Sequence, residues 1–125
     1  MTKIALFDEH VALILSHLYG HFPTPWDCEC RMLLNQKPVK SYEINACNDT
    51  VEWLENNGFI TVKERNDRYF SGVVLSHKGL ALLRKTPDSV SGKSTVGEKL
   101  TSLVKDGAVG AGADFIGSIL TSMAS

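Results

Sequence analysis

The alternation of apolar and polar residues predicts two helices near the start of the chain. Between residues 7 and 22, apolar side chains recur every three or four positions. Asp8 and Glu9 lie in the first turn of this stretch, where the helix dipole favours acidic groups. Thr24 is a suitable N-cap for the next segment, so a second, shorter helix is expected over residues 25–34.

The middle of the chain predicts a helix, a hairpin and a further helix. The third helix is expected to run from Ser41 to Gly58, because glycine commonly ends a helix in the left-handed conformation. Residues 59–64 and 68–75 are rich in β-branched and aromatic side chains around the turn-forming sequence "RND", which is typical of a β-hairpin. Ser76 is expected to cap the helix that comes after the hairpin.

Residues 94–125 carry an apolar stripe at helical spacing, which a solvated tail has no need to maintain. Glycines interrupt the stripe, each weakening a helix by about 1 kcal/mol relative to alanine. We therefore expect two shorter helices with a break near residues 107–112. Small side chains suit helix packing better than lipid contact, so no membrane span is expected. The chain is thus divided into a domain of residues 1–93 and a C-terminal helical extension, which covers residues 7–20 or forms a homodimer contact.

Charge distribution adds one local feature to an ordinary composition. The chain has 125 residues, 43% hydrophobic and 22% charged, with a net charge of −1, so its overall charge attracts neither nucleic acid nor an acidic membrane. Residues 59–93 differ, because they hold seven basic and three acidic residues, a net charge of +4. The basic segment coincides with the predicted hairpin and the helix after it.

Cysteine usage and the N-terminus indicate a cytoplasmic protein. Of the three cysteines, Cys28 and Cys30 lie too close along the chain to bridge easily, and Cys47 is left over. A disulfide framework is therefore not expected, and a reducing compartment is the default. The first ten residues also lack an apolar run of signal-peptide length.

The candidate metal ligands are His17, His21, Cys28 and Cys30. Two histidines four residues apart, followed by Cys-x-Cys, provide the number of ligands that tetrahedral zinc requires. Their spacing matches no common zinc pattern, and the polar side of an amphipathic helix accounts for the histidines equally well. No orienting group completes a Cys–His nucleophile, and "GAVGAG" lacks the Lys-Ser/Thr of a phosphate-binding loop. The sequence therefore predicts no enzyme, no metal and no cofactor.

Three short motifs lie between residues 50 and 83. They are "LENNGFI" at the end of the third helix, "RNDR" at the hairpin tip, and "LSHKGLALL" in the closing helix. In these motifs the segment resembles the MarR-like branch of the winged-helix proteins, and the resemblance extends loosely to residues 7–85. It implies an α+β, mostly helical fold, a winged helix-turn-helix with a two-stranded wing and an added C-terminal helical segment.

The resemblance assigns the third helix to the surface that meets DNA or another macromolecule. DNA readers of this kind place Arg, Lys, Asn or Gln of that helix in the major groove. Here the helix contains no Lys or Arg, and residues 35–41 form a longer turn than DNA-binding helix-turn-helix units have. The predicted partner-binding residues of its outer face are Tyr42, Asn45, Asp49, Glu52, Trp53 and Asn56.

The wing provides the second candidate surface. Lys63, Arg65 and Arg68 could contact phosphates or an acidic partner, although basic residues on an edge hairpin also prevent strand-to-strand aggregation. We expect a non-catalytic protein-interaction module of the adaptor or immunity type, with a protein partner favoured over DNA. The alternative is a MarR-like DNA-binding transcriptional regulator that uses its wing arginines.

Overall fold

The structure, a computed structural model, describes residues 3–34, 40–66, 69–86 and 94–123. The helices in these residues are α1 (Lys3–His21), α2 (Cys30–Leu34), α3 (Ser41–Asn56), α4 (His77–Arg84), α5 (Val96–Lys105) and α6 (Val109–Met123). The strands are β1 (Trp26–Cys28), β2 (Ile60–Thr61), β3 (Glu64–Arg65) and β4 (Phe70–Leu75). The predicted α+β, mostly helical class is confirmed.

Strand β4 is the centre of a small antiparallel sheet. Strands β2 and β3 pair with one edge of β4, with Ile60 opposite Leu75, which confirms the predicted hairpin. The other edge of β4 pairs with β1, where Trp26 lies opposite Val73. The predicted two-stranded wing is therefore part of a larger sheet, and β1 is a strand that the sequence did not predict. The candidate wing residue Arg68 lies outside the described residues.

The prediction of a helix over residues 25–34 is wrong in its first half. Residues 26–28 form β1, and the helix α2 begins only at Cys30. Pairing with β4 outweighs the local capping signal, because β1 gains ladder hydrogen bonds and the Asp27 side chain accepts a hydrogen bond from the Gly72 N–H at 3.1 Å. Signals in the local sequence cannot reveal pairing with a strand that is distant along the chain.

Helix α1 is longer than predicted and lies at the centre of the packing. It begins at Lys3 instead of residue 7, so Asp8 and Glu9 lie in its second turn. Its buried residues include Val11, Ile14 and Leu15, and it contacts α3, α5 and α6. The extra N-terminal turn extends α1 along α3, and a groove lies between the two helices.

A tight junction joins α3, β2 and α4. Gly58 adopts a φ of +81°, as the predicted glycine end of the helix requires. The Ser76 side chain caps α4 by accepting a hydrogen bond from the Gly79 N–H at 3.0 Å, which confirms the predicted cap. A Cβ at Gly79 would lie 2.0 Å from the Phe59 carbonyl oxygen, so only glycine allows α4 to approach this closely.

The C-terminal segment forms the two expected helices. Helix α5 ends at Lys105, Gly107 takes a φ of +83°, and α6 begins at Val109, so the predicted break is confirmed. The apolar side of both helices packs on α1 of the same chain, with Leu100 and Ile116 fully buried. The predicted boundary near residue 93 lies outside the described residues.

The prediction of no disulfide is contradicted by a bond between Cys30 and Cys47. The two residues are 17 positions apart, but packing of α2 on α3 brings their Cα atoms to 5.9 Å, within the usual range for a disulfide. Sequence reasoning considered the adjacent pair Cys28 and Cys30 and missed the pair that the fold brings together. Cys28 is a buried free thiol.

Candidate functional site

A groove lies between α1 and α3, along the side of α3 that carries Tyr42 and Trp53. Its volume is about 440 Å³, and its lining is mostly apolar. We call it the α1–α3 groove; its lining residues are Lys3, Leu6, Phe7, Tyr42, Asn45, Ala46, Asp49, Thr50 and Trp53. The α3 residues in this set recur every three or four positions, so one stripe of α3 forms a whole wall.

An aromatic cluster supports the wall of the groove at Trp53. The rings of Phe7 and Trp53 meet edge to face with centroids 5.1 Å apart, and Trp53 stacks on Phe59 at 6.0 Å. Lys78 lies over Phe59 at 4.6 Å and donates a hydrogen bond to the Asn57 carbonyl oxygen at 2.9 Å. Trp53 is thus held by contacts on its inner side, while 38% of it stays exposed to solvent.

The apolar surface continues past Trp53 into a second cavity of about 390 Å³. This cavity shares Phe7 and Trp53 with the α1–α3 groove and extends to Leu120 of α6. Ile4, which is 66% exposed, also lines it, and Tyr42 at the far end of the groove is 60% exposed. Exposed large apolar residues gathered at one place commonly mark interaction sites.

Charge on the outer face of α3 is acidic and only partly compensated. Arg65 of the hairpin forms an ion pair with Glu52 at 3.5 Å and a closer one with Glu55. Asp49, on the rim of the groove, has no ion pair with another described residue. Arg65 therefore compensates part of the negative charge of α3, and Asp49 keeps its charge without an ion pair among the described residues.

The structure brings together four of the predicted α3 residues: Tyr42, Asn45, Asp49 and Trp53 all line the groove. Glu52, Asn56 and Lys63 are exposed outside the described lining of the groove. Lys3 and Leu6 of the lining were missed because the predicted helix began at residue 7, and Phe7, its first residue, was not assigned to a site. The available signal was the apolar spacing within "KIALF", which continues the helical pattern backwards.

The candidate metal ligands do not form a metal centre in the described residues. His17 stacks on His21 at 4.3 Å and lies 3.9 Å from the Trp26 ring. Cys30 is bonded to Cys47, and burial raises the pKa of the Cys28 thiol to about 12. No group of three or more His, Cys, Asp or Glu in those residues is placed to hold a metal ion.

Titratable groups on α1 lie near α6 on one side and near α3 on the other. Burial, and next the nearby Asp114 on α6, raises the pKa of Asp8. Burial, and next Glu43 on α3, raises the pKa of Glu9. His10 is buried, which lowers its pKa, and its Nδ1 has no hydrogen-bond partner among the described residues. Burial therefore disfavours the charged form of each of these three groups.

Comparison with known proteins finds no relative: no family model, no curated protein and no solved structure matches the chain. The function is therefore proposed from the groove itself. Its apolar lining, its exposed aromatic residues and the acidic outer face of α3 are the features that a partner would meet.

Proposed function

We propose that the chain is a non-catalytic winged-helix protein that binds a protein partner through the α1–α3 groove, as an adaptor or immunity-type protein does. One observation carries the proposal. The face of α3 that a DNA reader inserts into the major groove here forms the wall of an apolar groove, with Trp53 and Tyr42 exposed. Aromatic residues in partly buried pockets contribute strongly to protein–protein binding.

The winged-helix part of the proposal is supported by the order of the elements. Helix α3 ends before Gly58, the hairpin of β2, β3 and β4 comes next, and α4 closes the unit from Ser76 onwards. This is the order over residues 50–83 on which the resemblance to MarR-like proteins rests. A winged helix serves protein binding as readily as DNA binding, so function depends on the surface.

A DNA-binding regulator remains the alternative, and the charges weigh against it. Duplex DNA presents one negative charge per ~1.7 Å of axis, which Asp49 and Glu52 would face. Arg65, the wing residue best placed to compensate, is already paired with Glu52 and Glu55. Binding to duplex DNA should consequently be weak, salt-dependent and nearly independent of sequence.

The cellular location stays a prediction. No helix in the described ranges has the length and apolarity needed to cross a membrane. The Cys30–Cys47 bond weighs against the expected cytoplasm, because disulfides persist mainly in oxidising compartments.

The test of the proposed function compares two exposed side chains. The full chain, carrying an affinity tag, is used to capture proteins from its native cell extract, and the captured protein is then purified for titration. Tyr42→Glu places a charge in the groove, and Met32→Glu, at a residue 73% exposed on α2, is the control. We expect Tyr42→Glu to weaken binding at least about tenfold, because the new carboxylate would be buried without a partner against an apolar surface. Met32→Glu should bind like the wild type.

Equal binding by wild type, Tyr42→Glu and Met32→Glu would overturn the proposed site. A single palindromic sequence selected from random duplexes at physiological salt would instead establish the regulator.

A further inference from the structure

The shape of the α1–α3 groove defines the length of segment that it accepts. On the α3 side the lining runs from Tyr42 to Trp53. At ~1.5 Å per residue, these positions are about 16 Å apart along a straight helix axis, or about three turns. The α3 wall of the groove is therefore about three turns long, which suits a rod-like segment that lies along α3.

Hydrogen bonding distinguishes a helical occupant from an extended one. Every described lining residue belongs to α1 or α3, whose backbone groups beyond the first turn are bonded within their own helices, so the lining offers no strand edge. An extended peptide needs a strand edge for its N–H and C=O groups, and against an apolar wall they would stay unpaired. A helix brings its backbone hydrogen bonds with it, so it can bury an apolar face here without that cost.

The charges on the two rims differ in sign. Lys3 lies on the α1 rim and Asp49 on the α3 rim, and neither forms an ion pair with another described residue. An occupant that lies along the groove meets a positive charge on one flank and a negative charge on the other. Complementary charges of this kind determine orientation and suppress wrong partners.

We propose that the occupant of the α1–α3 groove is an amphipathic α-helix of the partner protein. Its apolar stripe packs on Phe7 and Trp53, a Lys or Arg flanks the stripe opposite Asp49, and an Asp or Glu flanks it opposite Lys3. This inference rests on the proposed function and adds the secondary structure and the charge pattern of the partner.

The probe is a display library of random 16-residue peptides, selected on the immobilised full chain. We expect enriched peptides to repeat apolar residues at i, i+3 or i+4, and i+7, with a basic residue on one flank. Synthetic copies should gain helical circular dichroism on binding. Proline in the middle of the solvent-facing side should abolish their binding, while alanine there should not.

Reversing each rim charge tests which flank of the bound helix carries basic residues and which carries acidic residues. Asp49→Lys, on the exposed side of α3, should weaken binding of the selected peptides several-fold and enrich Asp or Glu in their place when the selection is repeated. Lys3→Glu should replace the preference for Asp or Glu on the opposite flank with a preference for Lys or Arg. Selected peptides that tolerate proline, an unchanged preference in both variants, or no enrichment at all would overturn the helical occupant.

Failure of this inference differs from failure of the proposed function. If the Tyr42→Glu variant no longer binds a cellular protein that the wild type captures, but the selected peptides bind in an extended conformation, then the groove binds protein and the proposed helical occupant is wrong. If sedimentation shows that the pure chain dimerises and Tyr42→Glu separates the dimer, a second copy fills the groove. That result would overturn both the foreign helix and the adaptor function.

Discussion

The two sides of α1 use apolar residues in different ways. Towards the C-terminal helices, small residues allow close approach: a Cβ at Gly112 would lie 3.7 Å from the Ala12 Cβ, and Ile116 is fully buried. Towards α3, the N-terminal half of α1 meets the large rings of Tyr42 and Trp53, and a cavity remains. Both sides are apolar in sequence. The size of the facing residues determines whether the surface is closed by the fold or left open to a partner.

The first prediction compares the same substitution on the two sides. Ile116→Ala removes a fully buried side chain from the closed side and should lower the free energy of unfolding by about 2–5 kcal/mol. Ile4→Ala, in the exposed cavity next to the groove, should change it by no more than about 0.5 kcal/mol. Urea unfolding monitored by Trp fluorescence measures both values. Similar losses would mean that the exposed side is part of the folding core.

The second prediction concerns the disulfide that joins the buried face of α3 to α2. The Cys30–Cys47 bond closes a loop of 17 residues, so its reduction should destabilise the chain by about 2–4 kcal/mol. Cys28→Ala removes no cross-link and is the control variant, because the effect of reducing agent on its stability should equal that on the wild type. Denaturant titration with and without reducing agent measures the difference.

Thiol counting checks the same bond independently. Unfolded without reductant, the wild type should expose one reactive thiol, from Cys28, and Cys28→Ala none. Three reactive thiols in the wild type would show that the bond does not form in the purified protein. That result would also support the cytoplasmic location that the cysteine count predicted.

Local signals in the sequence predicted the elements whose causes are local. The glycine end of α3 at Gly58, the Ser76 cap and the break near Gly107 each depend on one residue's conformation or side chain, and all three were found. Strand β1 could not be found in this way, because it exists through pairing with β4, more than 40 residues away. The Cys30–Cys47 bond was missed for the same reason.

The candidate site was half predictable. Helical periodicity separates the buried Cys47, Val51 and Leu54 of α3 from its outer face, so the α3 wall of the groove could be named from sequence. The α1 wall depends on how two helices pack, which periodicity does not report. The pairing of Arg65 with Glu52 and Glu55 was also missed, because the sequence placed Arg65 and Glu52 on separate candidate surfaces and Glu55 on neither.

The third prediction, which has the smallest expected effect, concerns the pH dependence of stability on the side of α1 that packs against α6. Burial first, and Asp114 second, raises the pKa of Asp8, which a Cβ at Gly117 would approach to 2.8 Å. The folded chain therefore holds a proton on Asp8 at a pH where the unfolded chain has released it. Stability falls as pH rises from the unfolded pKa through the folded pKa, and the cost of the ionised carboxylate persists above that window.

Asp8→Asn removes that ionisation and should raise the melting temperature at pH 7. Because Asp8 is partly exposed, the gain should be less than about 1 kcal/mol after allowance for solvent screening. At a pH below both pKa values, where wild-type Asp8 is protonated in both states, the gain should disappear. Asp114→Asn should give a smaller gain with the same pH dependence, since Asp114 is the second cause of the shift. A gain for Asp8→Asn that is equal at acidic and neutral pH would assign it to amide packing, and ionisation of Asp8 would then not destabilise the contact between α1 and α6.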